Sequence, residues 1–508
     1  MADLYNGFVY LFSNPAALGF VVLGAFSGVI IGALPGLTAA AAIAMLMPIT
    51  FHLDPMSALA FLYVIGKSGR FGGSISAILF NTPGTAASAG TMQDGYPLTR
   101  AGKSGKALKM AAIASMVGDF SGEIILIFGA VFIAGFTESF GPPEYFAIYF
   151  MAFLVIGSVV SDSVIKGLAS TLFGALVSLI GLDPISGEAR MTMGFLELES
   201  GFSLVPLLIG VFVISEVIIQ LEKLGGGGTQ KLAGITDSPE GSRLSLSEIR
   251  RCLPIMLRSS LIGSVIGMMP GLGSSVAAFV AYGEERRRSK IRDKWGTGII
   301  EGVAAPESAN NAVSGPSMIP LLTLGVPGST IAAILIGIFL IHGIQVGPAI
   351  FQTSRDLIFG LFASGLLGIA LYGLIGYFGS PLVGRMIARI PSNLIYPFIF
   401  LTAFAAAYSA RQSVFDIGIA LLFGVIGTVM RKAGFSTAAF IIAFVLAKGA
   451  EEAYRQALLL SDSGAGIFIE RPVVVGFLLL GIAVMLFRAY GSWRRSRPAA
   501  GNQESSNG

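Results

Sequence analysis

The chain has 508 residues, of which 54% are hydrophobic and only 12% are charged, and its mean hydropathy is +0.78. Apolar segments recur from end to end, which indicates an all-α polytopic membrane protein rather than a soluble protein with one anchor. The net charge of +4 lies mainly in loops and no basic face alternates with aromatic residues, so nucleic-acid binding is not expected.

The single cysteine, Cys252, excludes an internal disulfide and a thiolate metal cluster. The N-terminus has neither a basic segment nor a small-residue cleavage site, so no removable signal peptide is predicted. Basic loops alternate with acidic or neutral ones, and the positive-inside rule places the basic loops in the cytoplasm. The N-terminus is then predicted to be periplasmic and the C-terminus cytoplasmic. The alternation predicts full crossings at residues 110–135, 143–161, 166–182, 204–222, 357–379, 393–411, 414–430, 432–448 and 472–490.

Two apolar segments, residues 16–50 and 253–283, do not fit as single crossings because each begins and ends on the same side of the membrane. Each has a Pro-Gly pair near its middle, at Pro35 and at Pro270. Proline lacks a backbone donor and glycine tolerates unusual dihedral angles, so the pair can end one half-helix where the chain reverses. We expect two re-entrant helical hairpins; a proline-kinked ordinary helix is the alternative.

A second broken segment follows each hairpin, at residues 72–88 ("GGSISAILFNTPGTAAS") and 315–333 ("GPSMIPLLTLGVPGSTIAA"). Each unit then has one interrupted and four full crossings. Because five is odd, the second unit is predicted to be inverted relative to the first, as in many secondary transporters. The predicted organisation is a first membrane repeat at 1–222, a cytoplasmic Gly-rich linker at 223–252, a second repeat at 253–448, an external loop at 449–471, a final crossing at 472–490 and a disordered cytoplasmic tail at 491–508.

Unwound backbone inside a bilayer persists only where protein, water, ions or substrate can bond to it. Half-helix N-termini favour anions and half-helix C-termini offer carbonyls to cations, so the breaks predict a site for an anion and a cation. The candidate substrate-binding residues beside the breaks are Pro35, Gly36, Thr38, Ser74, Ser76, Asn81, Thr82, Pro83, Gly84, Pro270, Gly271, Gly273, Ser274, Ser275, Asn310, Asn311, Pro327, Gly328 and Ser329.

Glu307, in the stretch "PESANN", is the most informative acid, because an intramembrane carboxylate is costly and usually has a function. We predict that Glu307, Ser308 and Asn310 couple transport to Na⁺ or H⁺. The alternative is a structural acid that holds the Asn310 and Asn311 turn or pairs with a basic neighbour. No cofactor is expected, and no metal beyond a transported Na⁺.

The chain from about residue 18 to 472 resembles the TctA family, the large membrane subunit of tripartite tricarboxylate transporters. The resemblance rests on ordered blocks that include "GALPGLTAAAAIAMLMP", "FGGSISAILFNTPG", "DGYPL", "GMMPGLGSSVAAFVAY", "GTGIIEGVAAPESANNA" and "IPLLTLGVPG". It implies a bacterial inner-membrane carrier that takes up a carboxylate, driven by a sodium or proton gradient. It also implies two partners, a small TctB-like membrane subunit and a periplasmic TctC-like solute-binding protein. The oligomeric state stays open, homo-oligomers included.

The segment "GKSGRFGGS" departs from the family pattern, in which small, apolar or aromatic residues precede "GGS". Lys67 and Arg70 stand there, and both are candidate substrate ligands because two cations near a break can pair with carboxylates. The alternative is that they extend to the outer interface or pair with an acid such as Asp54. Asp119 and Glu123 share a helix face and are either a second proton relay or hydrogen-bonding groups toward neighbouring helices or the small subunit.

A channel is the competing functional class, because re-entrant loops also build selectivity filters. An intramembrane enzyme is not expected, since the sequence has no H-E-x-x-H motif, nucleophile elbow or kinase-like loop.

Overall fold

The computed structural model describes residues 2–137, 139–161, 163–183, 186–225, 241–389 and 392–496. The central part of the predicted linker, 226–240, and most of the predicted tail, 497–508, lie outside these ranges. The described chain is mostly helical, and eight of its helices are long and apolar enough to cross a membrane. The protein is therefore an all-α, multi-pass membrane protein. A helix also lies at each of the nine predicted full crossings.

The helices of the first half are α1 (Ala2–Phe12), α2 (Pro15–Gly32), α3 (Ala39–Leu46), α4 (Pro55–Phe80), α5 (Ser88–Arg100), α6 (Ser104–Thr137), α7 (Pro142–Val159), α8 (Val164–Ser178), α9 (Leu204–Leu208) and α10 (Ser215–Gly225). A π-helical turn, Ile209–Ile214, joins α9 to α10. A two-residue antiparallel ladder, Gly181–Leu182 with Ala189–Arg190, lies between α8 and α9.

The helices of the second half are α11 (Leu246–Met268), α12 (Gly273–Arg288), α13 (Glu301–Ala312), α14 (Ile319–Leu324), α15 (Thr330–Ile341), α16 (Ile350–Thr353), α17 (Arg355–Leu374), α18 (Ser380–Arg389), α19 (Ser392–Ser409), α20 (Val414–Lys432), α21 (Thr437–Leu459), α22 (Ile467–Glu470) and α23 (Pro472–Ser496). A second π-helical turn, Ile375–Gly379, joins α17 to α18.

Helix α21 continues beyond residue 448, where the sequence predicted an external loop. Its buried face extends through Ala450, Ala453 and Ala457, so apolar packing supports the extra turns. The Arg455 guanidinium also pairs with the Glu451 carboxylate one turn earlier at 2.5 Å, which favours helix at this end.

Helices α4 and α13 lie at the centre of the fold. Every residue from Met56 to Phe80 in α4 is buried, and so is every residue of α13. Helix α4 begins at the N-cap Asp54, whose side chain accepts hydrogen bonds from the backbone of Met56 and Ser57. A helix enclosed on all sides is not amphipathic, and this explains why polar residues on α4 meet protein instead of water.

Small residues let α2 approach α4 very closely. A Cβ built on Gly32 would stand 2.3 Å from the backbone oxygen of Gly69, and one on Gly72 would stand 2.6 Å from the backbone oxygen of Val29. Such contacts between backbones are typical of membrane helices with small interfacial residues. The two helices therefore hold the first two chain breaks near each other.

Helix contacts in one half have counterparts in the other. Helix α2 packs on α4 as α11 packs on α13, and α17 packs on α4 as α6 packs on α13. Helix α8 likewise contacts α21, and α20 contacts the π-helical turn Ile209–Ile214. If each helix is replaced by its equivalent in the other half, one contact of each pair becomes the other contact of that pair.

Candidate functional site

The helical structure is interrupted at all four prolines where the sequence predicts a break. The breaks are residues 33–38 between α2 and α3, 81–87 between α4 and α5, 269–272 between α11 and α12, and 325–329 between α14 and α15. Each break contains a residue with left-handed backbone: Gly36 (φ 75°), Asn81 (φ 55°), Gly271 (φ 87°) and Gly325 (φ 71°). Left-handed backbone ends a helix cleanly, and glycine or asparagine adopts it at least cost.

A cavity of about 540 Å³ lies where the four breaks meet. Thr38, Thr85, Gly271 and Gly328 line it, one residue from each break. Its volume is in the range of small-molecule sites. Eight predicted site residues line this cavity: Thr38, Arg70, Gly271, Gly273, Ser274, Ser275, Gly328 and Ser329.

Helix N-termini give the cavity a positive electrostatic character. The first residues of α3, α12 and α15 all line it. Thr38 caps α3 and Ser329 caps α15 through their side chains, whereas the first turn of α12 has no side-chain cap. Uncapped amides at a helix start can bind an anion directly.

Three arginines, Arg70, Arg431 and Arg488, also line the cavity, and the described residues contribute no carboxylate to its wall. Arg431 is already paired with Glu216 and donates to the backbone of Val211. Arg488 donates to the backbone oxygen of Val159 at 3.3 Å. Sequence reasoning missed both as site residues: Arg431 counted only as a cytoplasmic charge at a helix end, and Arg488 lay within the predicted final crossing, 472–490.

Arg70 is the least compensated of the three. It is only 6% exposed, its Nη1 atom has no hydrogen-bond partner, and it forms no ion pair with any residue in the described part of the chain. A guanidinium withdrawn from water in this way is stable only when an anion or polar groups compensate it. Arg70 can therefore form a two-pronged contact with a carboxylate in the cavity.

Lys67 lies in a different environment from the one that a substrate ligand requires. Its ammonium group is fully buried and sits 2.7 Å from both the Asp119 and the Glu123 carboxylates. The acid suggested by the sequence, Asp54, caps the start of α4, about 20 Å away along the helix. The partners are instead Asp119 and Glu123, the pair on α6 that the sequence placed on one face.

Glu307 is fully buried and bound by four donors. Its Oε2 atom accepts from Ser74 (2.6 Å) and Thr91 (2.7 Å), and its Oε1 atom accepts from Ser115 (2.8 Å) and Asn311 (3.0 Å). No basic side chain in the described chain pairs with it, so hydroxyl and amide donors alone stabilise the carboxylate. Both polar side-chain atoms of its neighbour Asn310 are buried without a partner.

The remaining predicted residues do not line the cavity wall. Several shape the breaks instead: the Gly84 amide donates to the backbone oxygen of Gly73, and Ser76 donates to the same atom. The residues outside the wall are Pro35, Gly36, Lys67, Ser74, Ser76, Asn81, Thr82, Pro83, Gly84, Pro270, Glu307, Ser308, Asn310, Asn311 and Pro327.

Asp94 holds the two halves together, and sequence reasoning gave it no role. Its carboxylate accepts from the Tyr282 hydroxyl (2.8 Å) and from the backbone amides of Gly296, Gly298 and Ile299. These amides precede α13, so an acid on α5, the helix that follows the first broken segment, positions the central helix of the second half. The block "DGYPL" contained the signal, but only the structure supplies the partners.

Comparisons with known proteins give one family model and two relatives of unknown function. The model of the family described as "Tripartite tricarboxylate transporter TctA family" matches residues 18–442. An uncharacterized 52.8 kDa protein in the TAR-I ttuC' 3' region of Agrobacterium vitis is 34% identical over 488 residues, 95% of each chain. An uncharacterized protein in the TAR-II ttuC' 3' region of the same organism is 35% identical over 237 residues, which is 46% of this chain and 97% of that protein. No solved structure gives a significant match.

Proposed function

Because this chain belongs to the TctA family of tripartite tricarboxylate transporters, we propose that it is a secondary active carrier that takes up a di- or tricarboxylate. Membership makes it the large membrane subunit of such a transporter. The observation that carries the carboxylate assignment is the cavity, into which three helix N-termini and Arg70 project positive potential with no carboxylate from the described wall. That arrangement favours a solute with more than one negative charge.

Alternating access between two inverted repeats is the proposed transport mechanism. Its support is the helix contacts that exchange between the two halves, together with one hairpin-like pair and one broken helix in each half. Binding sites at the meeting point of broken helices are typical of carriers built in this way. In the predicted orientation, Arg431 and Arg488 lie near cytoplasmic helix ends, so the cavity reaches toward the cytoplasm as in an inward-facing state.

The partners are also proposals. The family implies a small membrane subunit and a periplasmic solute-binding protein that delivers the acid to the outer face. Long apolar helices with little buried surface can contact the bilayer or the small subunit. Helix α23 is an example, because only 11% of its apolar segment is buried.

Uptake into proteoliposomes tests the proposal. Full-length protein is reconstituted with its small membrane subunit, the solute-binding protein is added outside, and radiolabelled citrate, succinate, malate and tartrate are supplied in turn under sodium or proton gradients. A carrier accumulates at least one acid above its equilibrium distribution. Equilibration without accumulation would indicate the alternative, an organic-anion channel, and no movement of any acid would contradict both.

A further inference from the structure

A continuous buried hydrogen-bond network links Glu307 to Glu123 along one face of α6. Ser115, Asp119 and Glu123 succeed one another at intervals of four residues on this face. Ser115 donates to Glu307 (2.8 Å), and the Tyr372 hydroxyl lies within hydrogen-bond distance of both the Ser115 backbone oxygen and the Asp119 carboxylate. Lys67 then bridges Asp119 to Glu123. The network spans roughly 12 Å between Ser115 and Glu123.

The two glutamates at its ends differ in one decisive respect. Both oxygens of Glu307 are occupied by donors, whereas the Oε1 atom of Glu123 is buried with no hydrogen-bond partner. The other oxygen of Glu123 accepts from Lys67 (2.7 Å) and Tyr63 (2.8 Å). A proton can therefore add to Glu123 without displacing any donor, while a proton on Glu307 requires one of its donors to turn away.

The groups that face Glu123 come from four elements. Helix α4 contributes Tyr63 and Lys67, and α6 contributes Asp119. Arg70 does not contact Glu123; it lies one turn beyond Lys67, at the cavity. Helix α17 contributes Tyr372, which contacts Asp119, and its Gly365 lies against the free Oε1 atom. Ser314, after α13, lies 3.5 Å from Lys67.

The formal charges of the groups between Arg70 and Glu123 balance in the absence of substrate; Glu307, at the far end of the network, is counted apart because four donors of its own stabilise it. Lys67 and Arg70 contribute two positive charges, and Asp119 and Glu123 contribute two negative charges. A substrate carboxylate bound to Arg70 adds a negative charge, and in a low-dielectric interior the excess is costly. One proton on Glu123 restores the balance.

We infer that Glu123 is the proton-binding site of the carrier and that substrate binding at Arg70 and proton binding at Glu123 favour each other. The inference rests on the proposed function for the coupling, but not for the proton site itself. Lys67, between the two, is a positioning residue that carries the electrostatic effect from α4 to α6. The coupling ion is then H⁺, and Glu307 serves as a structural acid at the other end of the network.

Infrared difference spectroscopy of the full-length protein in liposomes tests the proton site without any substrate. Lowering the pH is expected to produce the C=O band of a protonated carboxylic acid. The band is lost in Glu123→Gln and kept in Glu307→Gln and in the exposed control Glu470→Gln. A band that survives Glu123→Gln, or that disappears only in Glu307→Gln, overturns the inference.

A conservative variant covers the case in which Glu123→Gln does not fold. In protein labelled with ¹³C-glutamate, the label shifts the band of the wild-type Glu123 carboxyl group. Glu123→Asp keeps a carboxyl group but carries no label at this position, so its band appears at the unlabelled frequency. A band that still moves with the glutamate label in Glu123→Asp protein assigns the proton to another glutamate and overturns the inference.

Transport assays test the coupling separately. In wild-type proteoliposomes a proton gradient, acidic outside, drives accumulation of the acid identified by the uptake panel, and external Na⁺ is dispensable. Glu123→Gln mimics the protonated state, so it is expected to keep exchange of internal for external substrate but to lose accumulation driven by the proton gradient. Unaltered proton-driven accumulation in this variant overturns the coupling; an absence of uptake in wild type contradicts the proposed function and leaves the infrared test standing.

Discussion

Lys67 and Arg70 lie three residues apart on α4, yet only the charge of Lys67 is paired with carboxylates. Lys67 is neutralised by two carboxylates at 2.7 Å, while Arg70 faces the cavity with Nη1 unpartnered. A buried charge without a partner is expensive, and one with two close partners is stable. Lys67 is therefore part of the scaffold of the site, and Arg70 is the side chain that remains available to a substrate.

Replacement of Arg70 by glutamine is expected to raise the apparent KM for the transported acid by about 10- to 100-fold. A hydrogen bond to a charged group contributes about 1.5–3 kcal/mol, which sets this range. Arg70→Lys keeps the positive charge but lacks the planar guanidinium group, so its KM should lie between those of wild type and Arg70→Gln. KM is measured by initial rates of uptake in proteoliposomes.

The exposed Arg385→Gln variant is the matched control for that experiment, because it removes the same charge from a residue that does not line the cavity. Its KM should equal that of wild type. An Arg70→Gln protein that folds and transports with wild-type KM would remove Arg70 from the binding site.

At the residue scale, the sequence located several residues of the cavity wall from local chemistry alone, and their role in substrate binding stays a prediction. Thr38, Ser274 and Ser329 stand beside a Pro-Gly break, and all three line the cavity. The partners of Lys67 could not be predicted, since Asp119 and Glu123 are 52 and 56 residues away and the pairing depends on how α4 and α6 are rotated against each other. Arg431 and Arg488 were missed because neither the charge of loops nor the hydropathy of a crossing shows which side chains turn toward a cavity.

At the scale of elements, the close approach of α2 and α4 fixes the position of the first two breaks. Gly32 ends α2 against Gly69, and the Gly84 backbone in the next break lies against both Gly32 and Gly73. A side chain at any of these contacts would force the helices apart. The glycines are therefore requirements of packing, beyond their use in turns.

Gly32→Ala is expected to destabilise the protein by about 1–3 kcal/mol, the usual cost of forcing extra volume into a tight contact. The built Cβ atom would lie 2.3 Å from a backbone oxygen, which has little freedom to move. Gly19→Ala, on the same helix with no atom within 4 Å of the built Cβ, should leave stability unchanged or slightly improved. Thermal unfolding in detergent compares the two, and equal melting temperatures would contradict the packing argument.

Helix positions were largely predictable from hydropathy, but details of the helices were not. A helix lies at every predicted full crossing, because length and apolar composition are strong signals in a membrane protein. The π-helical turns at Ile209–Ile214 and Ile375–Gly379 have no such signal, since they depend on what the neighbouring helix permits. Helix α21 extends to Leu459 because its alanine face is packed against other helices. The charged residues of the same segment led the sequence analysis to predict a loop there.

At the scale of the whole molecule, each half of the chain brings two backbone breaks to a common cavity. Asp94 joins the halves, and the paired contacts of α4 with α17 and α13 with α6 cross between them. In the proposed mechanism, movement of one half against the other opens the cavity to either side in turn. The inversion of the halves and their orientation in the membrane stay predictions.

Substrate protection of single cysteines tests the convergence of the four breaks most directly. In a Cys252→Ser background, cysteine is placed at Thr38, Thr85, Ser275 or Ser329, with the exposed Ser463 as control. Thr38, Thr85 and Ser329 lie in three of the breaks, and Ser275 lies in the first turn of α12, directly after the remaining break. The rate of modification by a small thiol reagent is then measured with and without the transported acid. The account predicts that the acid slows modification several-fold at all four positions and leaves Ser463→Cys unaffected; protection at none of them, or at the breaks of only one half, would contradict a shared binding site.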